Sequence, residues 1–294
     1  MTKMHADQVD IDEDLVRGLV DEQFPQWADL PLRRVDSAGT VNAIYRLGGD
    51  MVLRLPLNRS GLGDVDREEY WLPKLAPLLP LAIPTPLARG GPGDGYPFLW
   101  SVHRWLPGRS ADQADLESPG EAAAVLARFA TRLWRIDPTQ GPHLAGSTPL
   151  AAMDDGVRAA IRALEGRIDT DAASLAWEAA LRAPAWDGPP LLVHRDLLPG
   201  NLLAVDGRLH AVIDFGTLGA GDPATDMLPA WSLFSGEARE VFRECLDVDA
   251  ATWARGKGYA LAKGLVGLPY YQDTNPRFAA LARRLIDAVL ADTG

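Results

Sequence analysis

Between residues 191 and 226 the chain places acids and amides at spacings that suit one kind of chemistry. An apolar triplet, Leu191-Leu192-Val193, runs into His194-Arg195-Asp196, and Asn201 follows Asp196 by five residues. Two short apolar runs, Leu202 to Val205 and Leu209 to Ile213, flank Asp206-Gly207, a dipeptide suited to a tight hairpin turn. The predicted hairpin returns the chain so that Asp214, in Asp214-Phe215-Gly216, emerges beside Asn201. An amide oxygen and a carboxylate suit a hard ion such as Mg²⁺, which keeps water and shares phosphate oxygens. Asp196 is then left to orient a hydroxyl and accept its proton. The expected chemistry is metal-assisted phosphoryl transfer, and the ordered set is far more specific than any one of its triplets.

That chemistry needs elements that clamp a nucleotide. The front third supplies predicted strands at Leu32 to Ser37, Val41 to Leu47 and Met51 to Leu55, the last two joined by the turn Gly48-Gly49-Asp50. A short amphipathic helix is predicted over 11–23, and another over 65–76, with Pro73 placed to break it early. Arg54 is the only basic residue of its strand and the candidate for pairing with phosphate; the alternative is an arginine facing solvent. Glu68 and Glu69 compete to orient it from the next helix, and Glu68 is favoured. The turn Ser37-Ala38-Gly39-Thr40-Val41-Asn42 is the candidate phosphate loop, with Ser37, Gly39, Thr40 and Asn42 as its binding residues. Small residues there let backbone amides face a phosphate, although a plain hairpin turn has the same composition. The nucleotide base is expected against the backbone of Ser101, Val102, His103 and Arg104, in a strand-like run from Tyr96 to Trp105.

Beyond a boundary near 102–110 the pattern turns helical, with helices expected over 119–135, 151–165, 171–182, 223–234, 237–246, 249–268 and 276–291. The predicted organisation is a nucleotide-clamping lobe over 1–101 with a short leading helix, a hinge and linker over 102–110, and a helical catalytic and substrate-binding lobe over 111–294.

The chain resembles the aminoglycoside phosphotransferase family, small-molecule kinases related in fold to protein kinases and choline kinases. The resemblance spans about 30–290 and is carried by Ser37-Ala38-Gly39-Thr40-Val41-Asn42, Tyr45-Arg46-Leu47, Val52-Leu53-Arg54-Leu55-Pro56, the stretch from His194 to Leu203, Val212 to Gly216, Gly221-Asp222-Pro223 and Asp226. It implies an α+β, bilobal protein-kinase-like fold with an antiparallel-sheet N-lobe and a mostly helical C-lobe. It also implies Asp196 as catalytic base, Asn201 and Asp214 as Mg²⁺ ligands, and an Arg54–Glu68 pair on the phosphates of ATP or GTP. Asp222 is expected to brace the catalytic loop. The chain departs from the family at Arg54, where most members have lysine, and at Arg195, where many have glycine. Only about ten residues separate Gly216 from the next helical run, and no Ala-Pro-Glu follows, which implies a small substrate rather than a protein. The acceptor pocket is expected to draw on 105–190 and the last two helices, around Asp226, Trp231, Trp253, Tyr259 and Tyr270, although tryptophans so placed are more often plain helix core.

Composition sets the remaining bounds. The 294 residues are 47% hydrophobic, so wholesale disorder is excluded, and the single Cys245 excludes a disulfide scaffold. The net charge of -11 argues against binding nucleic acid or anionic membranes through phosphate neutralisation; it is compatible with a cationic small-molecule acceptor, but acidic surfaces more often serve solubility alone. No apolar leader or membrane-length run is visible, so a cytoplasmic protein is expected. The five histidines are scattered without metal-ligand spacing, against a zinc site, and Cys245 is expected to be an inert core residue. An antibiotic is the expected acceptor. A kinase of an amino alcohol or sugar, a pseudokinase-like nucleotide-binding module and a metal-dependent hydrolase are the competing readings.

Overall fold

The computed structural model describes residues 8–35, 41–61 and 63–292. The chain divides into two compact units, each with its own hydrophobic interior: Met1–Leu78 with Ala82–Pro107 and Ile213–Gly216, and Leu79–Leu81 with Gly108–Val212 and Thr217–Gly294. Among the described residues no helix is long and apolar enough to cross a membrane.

The first unit is built on an antiparallel sheet of β1 (Leu32–Arg34), β2 (Asn42–Leu47), β3 (Met51–Pro56), β4 (Pro86–Gly90) and β5 (Trp100–Arg104), in the order β1-β2-β3-β5-β4. Alternation along β2 buries Ala43, Tyr45 and Leu47 on one face, where they meet Leu53, Leu55 and Val102. Helix α1 (Glu13–Gln23), capped by the Asp12 carboxylate, adds Val16, Leu19 and Val20 to this core. Helix α2 (Asp64–Leu75) runs past Pro73, because a proline in the last turn removes a single hydrogen bond two residues before the helix would end anyway. Pro86–Gly90 forms the edge strand β4, and Pro86 is tolerated because it begins an edge strand. The run expected from Tyr96 becomes strand only at Trp100, since Gly93 and Tyr96 close a tight turn onto each other first.

The second unit is mostly helical. It contains β6 (Arg109–Ser110), α3 (Pro119–Trp134), α4 (Leu150–Ala163), α5 (Thr170–Arg182), β7 (Leu191–Val193), β8 (Leu202–Val205), β9 (Arg208–Val212), β10 (Gly219–Gly221), α6 (Pro229–Ser232), α7 (Gly236–Leu246), α8 (Ala250–Tyr271) and α9 (Pro276–Ala291). Helix α8 is the hub, packing against α4, α5 and α9. The stretch expected as one helix over 223–234 is a short 3₁₀ turn, Pro223–Asp226, followed by α6, because Pro229 cannot continue a preceding helix. Cys245 is exposed rather than buried: α7 buries Ala238, Phe242 and Leu246, and the cysteine falls to the side of that stripe. An antiparallel-sheet unit and a mostly helical unit are the two halves of the protein-kinase-like α+β fold.

Candidate active site

Strand β7 delivers the candidate catalytic segment. Its last residue, Val193, pairs with Gly219 of β10, and the chain then turns out of the sheet at His194 and Arg195. Arg195 takes the left-handed conformation, φ 67°, which costs a non-glycine residue roughly 1–3 kcal/mol unless its surroundings enforce it. The enforcement is visible. Asp226, fully buried, accepts the backbone N–H of Arg195 at 2.7 Å, that of His194 at 3.2 Å and the Trp134 indole N–H at 2.9 Å. The Arg195 guanidinium donates to the carbonyls of Thr217 at 2.6 Å and Gly146 at 2.9 Å. It lies so close over β10 that a Cβ on Gly219 would sit 2.5 Å from its Cζ. The brace on this loop is therefore Asp226, not Asp222 as the sequence leads one to expect. Asp222 instead caps the Pro223–Asp226 turn and forms a buried two-point pair with Arg255 of α8, at 2.7 and 3.1 Å.

The turn from Asp196 to Asn201 folds the loop onto itself. The Asn201 amide N–H₂ donates to the Asp196 carbonyl at 2.9 Å and to Asp196 Oδ2 at 2.8 Å. With its nitrogen so committed, the amide offers its oxygen on the other side. Asp196 Oδ1 is held by the Lys263 ammonium of α8. Burial pushes the Asp196 carboxyl up, but the Lys263 charge, with His194 and Asn201, more than offsets it and holds the group below the usual carboxylate range. The following hairpin turns at Asp206 and Gly207, both at positive φ, with Val205 opposite Arg208. Leu202 pairs with Val212, and two residues beyond Val212 the chain reaches Asp214.

In the first unit, Arg54 of β3 is the organising residue. Its guanidinium donates to Glu68 Oε1 at 2.8 Å and, through the other terminal nitrogen, to Asp214 Oδ1 at 2.8 Å. Arg54 and Glu68 are buried, whereas the Asp214 side chain is 38% exposed and its backbone takes φ 67°. Burial pushes the Glu68 carboxyl up to about 7 against the pull of Arg54. Glu69 points to the surface and pairs with Arg89 at 3.2 Å. Arg67 of α2 ties down the segment after Asp214 by donating to the Gly216 carbonyl and to Asp64.

The other expected nucleotide residues are distributed differently. Ser37, Gly39 and Thr40 lie outside the described residues. Asn42 opens β2 opposite Pro56. Ser101 and His103 are buried in β5, which pairs with β3 on one side and β4 on the other. The run Ser101 to Arg104, expected beside the nucleotide base, lies within β5, with His103 opposite Pro86 of β4. His103 is held neutral, its imidazole pushed down to about 3 by burial and by Arg54. Of the expected acceptor-pocket residues, Asp226, Trp231, Trp253 and Tyr259 are buried, and Tyr270 alone is exposed.

Three features escaped the sequence reading: Lys263 on Asp196, Asp226 under the loop, and the Asp222–Arg255 pair. One signal pointed to them. Helix α8 is apolar except for Arg255, Lys257 and Lys263, and each of these meets an aspartate, with Lys257 3.5 Å from Asp292. Among the described residues no group of three or more His, Cys, Asp or Glu could hold a metal ion.

Comparison with known proteins bears on the fold and the family. No curated protein matches the chain in sequence. Among solved structures, the GDP and kanamycin complex of APH(2")-IIia is similar at a TM-score of 0.72 and 17% identity, covering 95% of this chain and 99% of that one. The apoenzyme of macrolide 2'-phosphotransferase MphH from Brachybacterium faecium is similar at 0.61 and 23% identity, covering 96% and 100%. Macrolide 2'-phosphotransferase type I gives 0.65 and 18%, covering 97% and 99%. At these identities the likeness is one of fold. The model of the phosphotransferase enzyme family, however, matches residues 33–288, nearly the whole chain, and the chain belongs to that family.

Proposed function

We propose that this enzyme transfers the terminal phosphoryl group of ATP or GTP to a hydroxyl of a small-molecule antibiotic of the aminoglycoside or macrolide kind. The observation that carries the reading is Asp196: a carboxylate kept ionised below its usual range, fixed by Asn201, on a loop held at strained φ by Asp226. Asp196 orients the acceptor hydroxyl. As the acceptor oxygen bonds to the γ-phosphorus, the bond from that phosphorus to its bridging oxygen breaks. The leaving diphosphate keeps the electron pair, and the hydroxyl proton passes to Asp196. Asn201 and Asp214 are the residues that would hold Mg²⁺, which supplies charge neutralisation on the phosphate oxygens when bound. Arg54 bears on the same phosphates, oriented by Glu68. The nucleotide finds support in similar structures, which hold GDP in APH(2")-IIia and ATP with streptomycin in APH(2")-IIa.

The test is a phosphoryl-transfer assay with Mg²⁺ and ATP or GTP against aminoglycosides, macrolides, amino alcohols and sugars, read as mass gain of the acceptor. A phosphorylated antibiotic is expected; phosphorylation confined to the amino alcohols or sugars would transfer the reading to a metabolite kinase. Asp196→Ala should lower turnover by about 100-fold or more while nucleotide binding survives. Asp214→Ala should weaken Mg²⁺–nucleotide binding in a titration, and unchanged binding would remove Asp214 from that role.

A further inference from the structure

Lys263 has no role in the reading above, yet its ammonium is paired with the carboxylate on which that reading turns. The residue sits in the middle of α8, 67 positions along the chain from Asp196. Its side chain is 31% exposed and that of Asp196 18%. The pair is part-buried, with the ammonium end the more open to water. The helix is already anchored without it, through the buried Arg255–Asp222 pair and Lys257–Asp292. Anchoring of the helix therefore does not by itself require a lysine aimed at this carboxylate.

Geometry gives one. Asn201 holds only Oδ2, and a carboxylate fixed at one oxygen still swings about that contact. Lys263 takes Oδ1 and removes the swing. Each carboxylate oxygen has two acceptor directions, so both clamps together still leave directions open to an incoming hydroxyl. We propose that Lys263 is a positioning residue for phosphoryl transfer, clamping Asp196 from α8 so that the carboxylate meets the acceptor hydroxyl in one fixed orientation. In a loose transition state the nucleophile's alignment matters more than the strength of the base, so a carboxylate held between an amide and an ammonium is suited to the task.

The inference rests on the phosphotransferase reading, and water as acceptor separates the two. Purified protein is given Mg²⁺–ATP alone, and phosphate release is followed for wild type, Lys263→Met and Lys263→Arg, with thermal unfolding recorded for each. The expected result is a fall in kcat of about 10-fold or more in Lys263→Met, with KM for Mg²⁺–ATP within twofold of wild type and an unchanged unfolding midpoint. Lys263→Arg should recover at least half of the loss, because a cation is restored. Methylamine added to Lys263→Ala should raise kcat towards wild type for the same reason. Wild-type kcat in Lys263→Met, or a loss that Lys263→Arg and methylamine both fail to repair, overturns the inference and leaves the phosphotransferase reading standing. If Lys263→Met does not fold, Lys263→Gln replaces it; if neither folds, the residue is structural and the inference fails. Where wild type phosphorylates an acceptor without releasing phosphate, the same variants are compared with that acceptor in place of water; a wild type that does neither overturns the phosphotransferase reading, and the inference with it.

Discussion

Arg54 holds two carboxylates at once, Glu68 through one terminal nitrogen and Asp214 through the other, each at 2.8 Å. Only a guanidinium has the fork for this; a lysine ammonium is a single point and must share. The departure from the family's lysine thus has a structural use, since it ties α2 and the Asp214 segment to β3 through one side chain. Arg54→Lys should raise KM for Mg²⁺–ATP by about 10-fold with a smaller effect on kcat, measurable by steady-state kinetics. Glu68→Ala should cost on the order of 3 kcal/mol in urea unfolding, because it strips the buried guanidinium of its buried partner.

Asp226 accepts three N–H groups, two of them from the backbone of the loop that carries Asp196. Asp226→Asn turns one accepting oxygen into a donor that faces another donor. The variant should lose about 2–3 kcal/mol in chemical denaturation and lose kcat along with it, since Arg195 is no longer held in its strained conformation.

The buried Asp222–Arg255 pair should show strong coupling. Arg255→Met alone leaves a carboxylate in the interior without its cation and should cost roughly 3–5 kcal/mol. The double variant Asp222→Asn, Arg255→Met should cost clearly less than the sum of the two singles. A urea-based double-mutant cycle measures the difference, and simple additivity would show that the pair does not act as a unit.

His103 sets a pH dependence of stability. Its imidazole is pushed down to about 3 in the folded protein. In the unfolded chain it titrates at about 6.5. Between those values the unfolded state binds a proton that the folded state refuses, so stability falls as the pH is lowered through the window. His103→Gln should remove this contribution. The loss of unfolding free energy between pH 7 and pH 5 should be about 2 kcal/mol smaller in the variant than in wild type.

What was legible in the sequence was legible because it was local. The Asp206-Gly207 turn declares itself, since both positions need positive φ and both residue types accept it. The alternation of Ala43, Tyr45 and Leu47 assigns β2 its buried face. The order His194-Arg195-Asp196, Asn201, Asp214 lies along one short stretch of chain, and the Arg54–Glu68 pair joins a strand to the next helix.

What was missed depends on which distant segments the fold brings together. Nothing near Asp196 in the chain announces Lys263, and nothing in the spacing of Asp222 and Asp226 says which of them turns towards the loop. The strand order β3-β5-β4 is equally invisible to periodicity. The tryptophans of the helical unit were open to both readings, pocket and core, because an aromatic residue reads the same in each; Trp231 and Trp253 are buried.

The three cations of α8 have a consequence for assembly of the helical unit. Arg255, Lys257 and Lys263 meet Asp222, Asp292 and Asp196, three aspartates from separate stretches of the chain. An apolar helix among apolar helices can dock one turn out of place at small cost, because its greasy faces resemble one another. For α8 such a misdocked state strands Arg255 and Asp222 in the interior, where each unpaired charge costs several kcal/mol. The charges act as index marks along the helix, admitting one seating of α8 and rejecting its near neighbours. The seating they admit is the one that brings Lys263 to Asp196.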